Sequence, residues 1–173
     1  CGSDRVLKEM NRRYDTKRYL ELVDYARKVM PDLTITSDII VGFPGETEAE
    51  FEETVALLER VRFDSLFTFI YSRREGTRAA SMPDPVSRAE KQRWFDRLLE
   101  VQNRISREKN AEYVGRTLPV LIDGRSEDPN YDLTARTDGF KLVHLRGGED
   151  RIGQFAEAEI DRSSTWALFG KVK

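Results

Sequence analysis

The chain has 173 residues, one cysteine and a net charge of −2. It is long enough to bury a core, and its hydrophobic content of 39% suits a globular protein. No apolar run approaches the roughly 20 residues of a membrane helix, so we expect no membrane partner. A single cysteine excludes internal disulfides and favours the cytoplasm. The 29 Lys and Arg residues are balanced by 31 Asp and Glu residues. This balance of charge argues against a histone-like nucleic-acid binder but not against a local basic patch.

Two helices are predicted at the start of the chain. Ser3 is the candidate N-cap of the first, whose apolar residues share one face. A second helix begins at Thr16 and is ended by Pro31. The segment "LTITSDIIVG" (33–42) then predicts a strand that is buried on both faces.

A strand–helix–strand unit follows from the next segments. Thr47 and Glu50 predict a capping box for a third helix, and "DSLFTFIYS" (64–72) predicts a second buried strand. This order is typical of a parallel α/β sheet or barrel. Two strands complete neither, so the remainder lies upstream of Cys1 or the chain dimerises. We expect a fragment of a longer protein.

The second half has a different pattern. After a loop over 72–87, Ser87 and Glu90 predict a capping box for a long helix. From Gly115 onward, short strand candidates alternate with turn-like stretches, which indicates a small five-stranded, OB-like β-barrel. Trp166 and Phe169 are expected in its core. The predicted domains are 1–113 and 114–173.

Candidate chemistry in the first half concentrates at a strand end. Asp38 and Ile40 lie near the carboxyl end of the first strand, where α/β proteins bind ligands. Gly42 and Gly45 would let a flat ring approach the backbone. The same spacing also fits an ordinary turn beside a solvated aspartate. From spacing alone, we favour the turn over a ligand site.

Other charged residues also have two interpretations. Arg12 could bind a carboxylate or complement a helix C-terminus. Glu46 and Glu48 are interpreted as acids that favour a helix N-terminus, without a catalytic role. Cys1 and His144 stand alone, so the residues present predict neither an iron–sulfur centre nor a zinc site.

The barrel segment "ARTDGFKLVHL" (135–145) and the following Arg146 place cations beside an aromatic residue. Such a patch can follow phosphates and stack bases. Residues 115–173 nevertheless hold nine Lys/Arg and ten Asp/Glu, so a solvated barrel face is the alternative. His144 is either structural or a phosphate contact.

Four segments together resemble one family over essentially the whole chain: "CGSDRVLKEMNRRYDTKRYLELV", "TSDIIVGFPGETEAEFEET", "VRFDSLFTFIYSRREGT" and "STWALFGKV". The chain resembles the radical S-adenosylmethionine (SAM) methylthiotransferases. The resemblance implies an α/β plus all-β protein: the C-terminal part of a radical SAM (β/α) barrel, followed by a TRAM β-barrel. The cysteines that ligate the family's clusters would lie upstream.

The resemblance also implies roles for individual residues. Arg12 matches the arginine that meets the methionine carboxylate of SAM, Asp38 and Ile40 match the strand beside ribose and adenine, and Ser72 matches a strand end near the adenine. The polar segment expected to contact tRNA contains Arg136, Thr137, Lys141 and, as a further candidate, His144.

Within the family, the segments are most like the branch that adds a methylthio group to isopentenyl-adenosine next to the tRNA anticodon. That branch implies SAM, two 4Fe–4S clusters, an electron donor and the anticodon stem-loop as partner, in a cytoplasmic monomer. Glu75 to Thr77 lean toward the branch that modifies a ribosomal-protein aspartate. The other alternative is a non-catalytic RNA-binding module. The fragment alone is expected to be inactive.

Overall fold

The computed structural model describes residues 1–173, which divide into two compact units, Cys1–Ile105 and Ser106–Lys173. The expected boundary, 113/114, falls after the last helix; in the structure the end of that helix belongs to the second unit. The elements that begin in the first unit are α1 (Asp4–Glu9), α2 (Thr16–Val29), β1 (Thr36–Val41), α3 (Glu48–Val61), β2 (Ser65–Ile70) and α4 (Arg88–Ala111). A short 3₁₀ turn, Arg78–Ser81, lies in the loop between β2 and α4.

β1 and β2 pair in parallel, as the strand–helix–strand order predicted. Ile39 and Val41 point into a core that α3 and α4 complete, in which the rings of Phe51 and Trp94 stack at 5.4 Å. The capping box of Thr47 and Glu50 is present at the start of α3. Local hydrogen bonding and hydrophobic periodicity therefore determine this unit as expected.

The opposite face of the sheet is open. The register pairs Asp38 with Phe67 and Ile40 with Phe69, and the two phenylalanines are 64% and 55% exposed. The predictions that β1 is buried on both faces and that β2 is a buried strand are therefore wrong, because the helices of this unit cover only one side of the sheet.

The second unit is a closed barrel of five strands, as predicted. The strands are β3 (Thr117–Arg125), β4 (Leu133–Thr137), β5 (Leu142–Arg146), β6 (Phe155–Ser163) and β7 (Leu168–Val172). Their order is β3-β4-β5-β7-β6, with β5 and β7 parallel and the other pairs antiparallel. Phe169 is buried as expected, whereas Trp166 is 70% exposed, so its predicted place in the core is wrong. Trp166 lies in the turn before β7, outside the strand alternation that buries its neighbours.

Candidate functional site

A cleft of about 770 Å³ opens at the carboxyl ends of β1 and β2. Its lining includes Arg12, Asp38, Ile40 and Ser72, all four residues for which the family resemblance implied a cofactor contact. The parallel pairing of β1 and β2 brings Asp38, Ile40 and Ser72 to one end of the sheet, and the segment after α1 brings Arg12 to the same place. The structure thus brings together residues that are widely separated in the sequence.

The end of α1 fixes the backbone at Arg12. Asn11 adopts the left-handed conformation (φ 59) that asparagine tolerates, and its N–H donates to the carbonyl of Lys8. The N–H of Arg12 donates to the carbonyl of the buried Leu7 at 2.9 Å. These two bonds form a Schellman motif, which satisfies the helix end and directs the chain at Arg12 toward the cleft. The Arg12 side chain itself is exposed and lines the cleft.

A buried carboxylate organises the loop after β1. Glu46 is 2% exposed, and its Oε2 accepts the N–H of Gly42 at 2.6 Å and that of Phe43 at 3.1 Å. Burial raises the pKa of Glu46, and the two backbone hydrogen bonds oppose that shift. The interpretation of Glu46 as an acid that serves the helix start is wrong, because its carboxylate turns back to the loop. Phe43, which it fixes, lines the cleft.

A second buried charge lies behind the same loop. The Lys91 ammonium is held by Asp84 at 2.6 and 2.7 Å and lies 5.6 Å from the ring centroid of Tyr71. Gly42 (φ +73) has no side chain, which leaves room for the methylenes of Lys91. This contact ties α4 to the strand-end loop and to the segment after β2. Neither Lys91 nor Asp84 carries a sequence motif that could have indicated it.

The charge of the cleft suits an anionic or zwitterionic ligand. Arg12 and Arg74 line it without an ion-pair partner, whereas Arg78 is paired with Glu9 at 3.0 Å. Arg74 was not among the predicted site residues, although the nearby Ser72 was. The carbonyl of Arg74 accepts the N–H and the hydroxyl of Thr77, which closes a turn at the rim of the cleft.

Another cleft, of about 610 Å³, lies beside α1 and α3 and is lined by none of the predicted site residues. Arg5 and Glu50 form an ion pair in its wall, at 2.5 and 2.7 Å. The Arg5 guanidinium, with the hydrogen bonds from Thr47, lowers the pKa of Glu50 to about 2. These groups satisfy each other, so we assign this cleft no ligand.

The residues expected to contact RNA do not form one free surface. Arg136 pairs with Asp123 at 3.1 Å. Thr137 is 7% exposed, and its hydroxyl accepts the N–H of Lys141 within the turn between β4 and β5. The Lys141 ammonium donates to Asn110 Oδ1 at 2.9 Å.

His144 belongs instead to a cluster with two arginines, which we call the arginine–aromatic face: Tyr131, His144, Phe169, Arg146 and Arg162. The His144 ring stacks on Phe169 at 5.3 Å, and its Nδ1 is hydrogen-bonded to Ser126 Oγ at 2.8 Å. The Arg162 guanidinium lies 3.7 Å from the Phe169 ring centroid, and that of Arg146 lies 5.3 Å from the Tyr131 centroid. Arg146 belongs to the predicted basic patch, whereas Arg162 was not predicted, because only the pairing of β6 with β7 brings it here.

Two family models match the chain. Residues 1–58 match the radical SAM superfamily and residues 111–173 match the TRAM domain. The open parallel sheet with its cleft, followed by a five-stranded barrel, therefore defines a radical SAM protein with a TRAM domain. No helix of the structure combines the length and apolarity that crossing a membrane requires.

Curated relatives narrow the family further. Proteins named tRNA-2-methylthio-N(6)-dimethylallyladenosine synthase are 50% identical in Thermoanaerobacter sp. (strain X514) and 45% identical in Acetivibrio thermocellus, each over 172 residues or 99% of this chain. The protein of that name from Clostridium botulinum (strain Langeland) is 45% identical over 98% of the chain. The chain belongs to the radical SAM methylthiotransferase family. It spans 36% to 38% of the length of these relatives.

Proposed function

We propose that this chain forms part of a radical SAM methylthiotransferase that adds a methylthio group to isopentenyl-adenosine next to the tRNA anticodon. The observation that carries the proposal is the cleft at the strand ends, which gathers Arg12, Asp38, Ile40 and Ser72. The printed names of the relatives support a tRNA adenosine as the substrate.

The cleft residues fit S-adenosylmethionine. Arg12 offers an unpaired guanidinium to a carboxylate, and Asp38 offers acceptor oxygens to ribose hydroxyls. Ile40 and Phe43 supply apolar surface for a base. When bound, the cofactor supplies the methyl group and the radical chemistry of the family. The residues of this chain bind and orient it: the Schellman motif holds Arg12, and the Glu46 carboxylate holds Phe43.

The same residues do not fit an iron–sulfur cluster. The chain has one cysteine, and no group of three or more His, Cys, Asp or Glu side chains is arranged so that it could hold a metal ion. Thiolates are the ordinary ligands of such clusters. The two 4Fe–4S clusters of the proposed enzyme would be held by residues outside this sequence, and we propose that the chain alone does not turn over substrate.

The tRNA-modifying branch of the family, MiaB, is favoured over the ribosomal-protein branch, RimO, by the names of the relatives. The partners we propose are the tRNA anticodon stem-loop and an electron donor that reduces the cluster. We propose that the enzyme acts as a monomer in the cytoplasm.

A chimeric enzyme tests this function. The aligned third of the Thermoanaerobacter relative is replaced by this chain, and the chimera is expressed in a bacterium that lacks the activity. Mass spectrometry of tRNA nucleosides should then show the methylthio product. A chimera that is soluble and loaded with iron but gives no product would contradict the proposal.

Arg12→Ala in the chimera tests the cofactor cleft. Loss of one charge-assisted contact should raise KM for SAM by about tenfold or more. Arg13→Ala is the matched control, because Arg13 is exposed and does not line the cleft. Equal effects of the two substitutions would remove Arg12 from the site.

A further inference from the structure

We propose that RNA docks on the barrel through the arginine–aromatic face, with Arg146 and Arg162 as its phosphate contacts, and not through the segment of Arg136 and Lys141. The inference rests on the proposed function, because RNA is the partner that this function requires. It assigns the phosphate contacts to Arg146 and Arg162, which the family resemblance did not indicate.

The segment first expected to bind RNA is occupied by contacts within the unit. Arg136 is paired through Nε with the Asp123 carboxylate, which neutralises its charge and weakens its attraction for a phosphate. Lys141 donates to Asn110 and lies 5.3 Å from the ring centroid of Tyr113. Both cations therefore have structural partners in the absence of RNA.

The two arginines of the proposed face differ from them in this respect. Arg146 and Arg162 are exposed, and neither forms an ion pair. The one hydrogen bond of the Arg162 guanidinium is to the Tyr131 hydroxyl, at 3.4 Å. The nearby carboxylate of Asp128 accepts the backbone N–H and the side-chain amide of Asn130, at 3.0 and 2.9 Å. Most donor groups of the two guanidiniums thus remain available to phosphate oxygens.

Buried rings orient these guanidiniums. Tyr131 and Phe169 are each 7% exposed, so they serve as a floor beneath the cations and cannot stack on bases themselves. Arginines held close to buried rings keep fewer conformations, which lowers the entropy lost when they bind. The half-exposed His144 ring and the exposed guanidiniums remain as surfaces on which an unpaired base can stack.

The strand register makes the face continuous. His144 on β5 lies opposite Phe169 on β7, and Phe169 lies opposite Arg162 on β6. Neighbouring strands are about 4.8 Å apart, so the three positions span a short row across the barrel. In a single-stranded RNA loop, phosphates can contact the arginines of this row while bases stack on its exposed surfaces. An acidic protein would be attracted by the same cations but has no bases to stack.

Fluorescence anisotropy with the 173-residue chain tests the assignment. The probe is a short RNA hairpin with a single-stranded loop, titrated at several KCl concentrations. The double variant Arg146→Ala/Arg162→Ala should bind about tenfold or more weakly, and its slope of log K against log salt should fall by about 1.4, for two single-strand phosphate contacts. Arg125→Ala is the matched control, because Arg125 is exposed but paired with Glu149.

Arginine modification by phenylglyoxal gives a second measurement on the unchanged chain. Bound RNA should protect Arg146 and Arg162 and leave Arg125 reactive, which avoids any effect of substitution on folding. Unaltered affinity and slope in the double variant, with losses in Arg136→Ala or Lys141→Ala, would overturn the assignment but keep the RNA partner. Equal competition by poly-glutamate would reduce the face to a general anion surface. Absence of RNA binding by the unchanged chain would overturn both this inference and the tRNA part of the proposed function.

Discussion

Gly42 and Lys91 are in contact in a way that leaves no room for a side chain at residue 42. A Cβ added to Gly42 would lie 2.5 Å from Cδ and 2.6 Å from Cγ of Lys91. Lys91 cannot move aside freely, because its ammonium is held by Asp84 and its side chain is 6% exposed. The loop at the cleft and the start of α4 are thus fitted to each other.

Gly42→Ala should therefore lower the free energy of unfolding by roughly 2 to 4 kcal/mol, as left-handed strain adds to overpacking. Urea unfolding followed by circular dichroism measures it. Gly76→Ala is the matched control: Gly76 has φ +77, but a Cβ there meets nothing within 4 Å. It should lose only about 1 kcal/mol from strain. Equal losses in the two variants would show that the Lys91 contact contributes nothing.

The buried Lys91–Asp84 pair should be worth more than an exposed one. Asp84→Ala leaves a nearly buried ammonium without its carboxylate, and we expect a loss of about 2 kcal/mol, reduced from the fully buried case because Asp84 is 27% exposed. Adding Lys91→Met should recover much of that loss. Asp24→Ala is the comparison, since the Arg60–Asp24 pair is half exposed and should change stability by about 0.5 kcal/mol or less. A double variant no more stable than Asp84→Ala would contradict this account.

Two neighbouring glutamates should give opposite dependences of stability on pH. Glu50 has a folded pKa of about 2, below its ordinary 4.5. The folded state therefore binds fewer protons between these values, and the stability from Glu50 is lost as pH falls through that window. The pKa of Glu46 is raised by burial. Its contribution is therefore complete below 4.5 and declines as pH rises through the folded pKa.

Urea midpoints measured from about pH 2 to pH 7 check both signs. Glu50→Gln should reduce the loss of unfolding free energy at acid pH by roughly 1 to 2 kcal/mol. This figure is discounted for solvent screening, because Arg5 is half exposed. Glu46→Gln should remove the decline above 4.5 and keep both backbone bonds, since a single oxygen accepts them. An unchanged pH profile in either variant would contradict the assignment for that residue.

The sequence predicted the features that depend on local chemistry. The Thr47–Glu50 capping box needs residues three apart, and the strand–helix–strand unit follows from hydrophobic period. The carboxyl end of β1 was indicated as a ligand-binding edge on the same grounds. Residue roles there came from the family resemblance, and spacing alone had favoured a simple turn.

The features that depend on register or on distant segments could not be predicted. The polar side chains of Glu46 and Lys91 can be buried only because each has a partner: backbone N–H groups donate to Glu46, and Asp84 binds the Lys91 ammonium. The pairing of Arg136 with Asp123 depends on the register of β3 against β4, which a sequence does not display. Residues with the same charge in one segment therefore acquired different roles.

Trp166 and Phe169 should differ in how much they contribute to the stability of the barrel. Both were expected in the barrel core, but Trp166 is 70% exposed and Phe169 is 7% exposed. Phe169→Ala should lose about 3 kcal/mol of unfolding free energy, because it removes a ring packed against Tyr131 and His144. Trp166→Ala should stay within about 0.5 kcal/mol of the unchanged chain. Thermal unfolding of the two variants compares them directly, and a loss at Trp166 as large as that at Phe169 would mean that the indole packs in solution against a surface it does not touch in this structure.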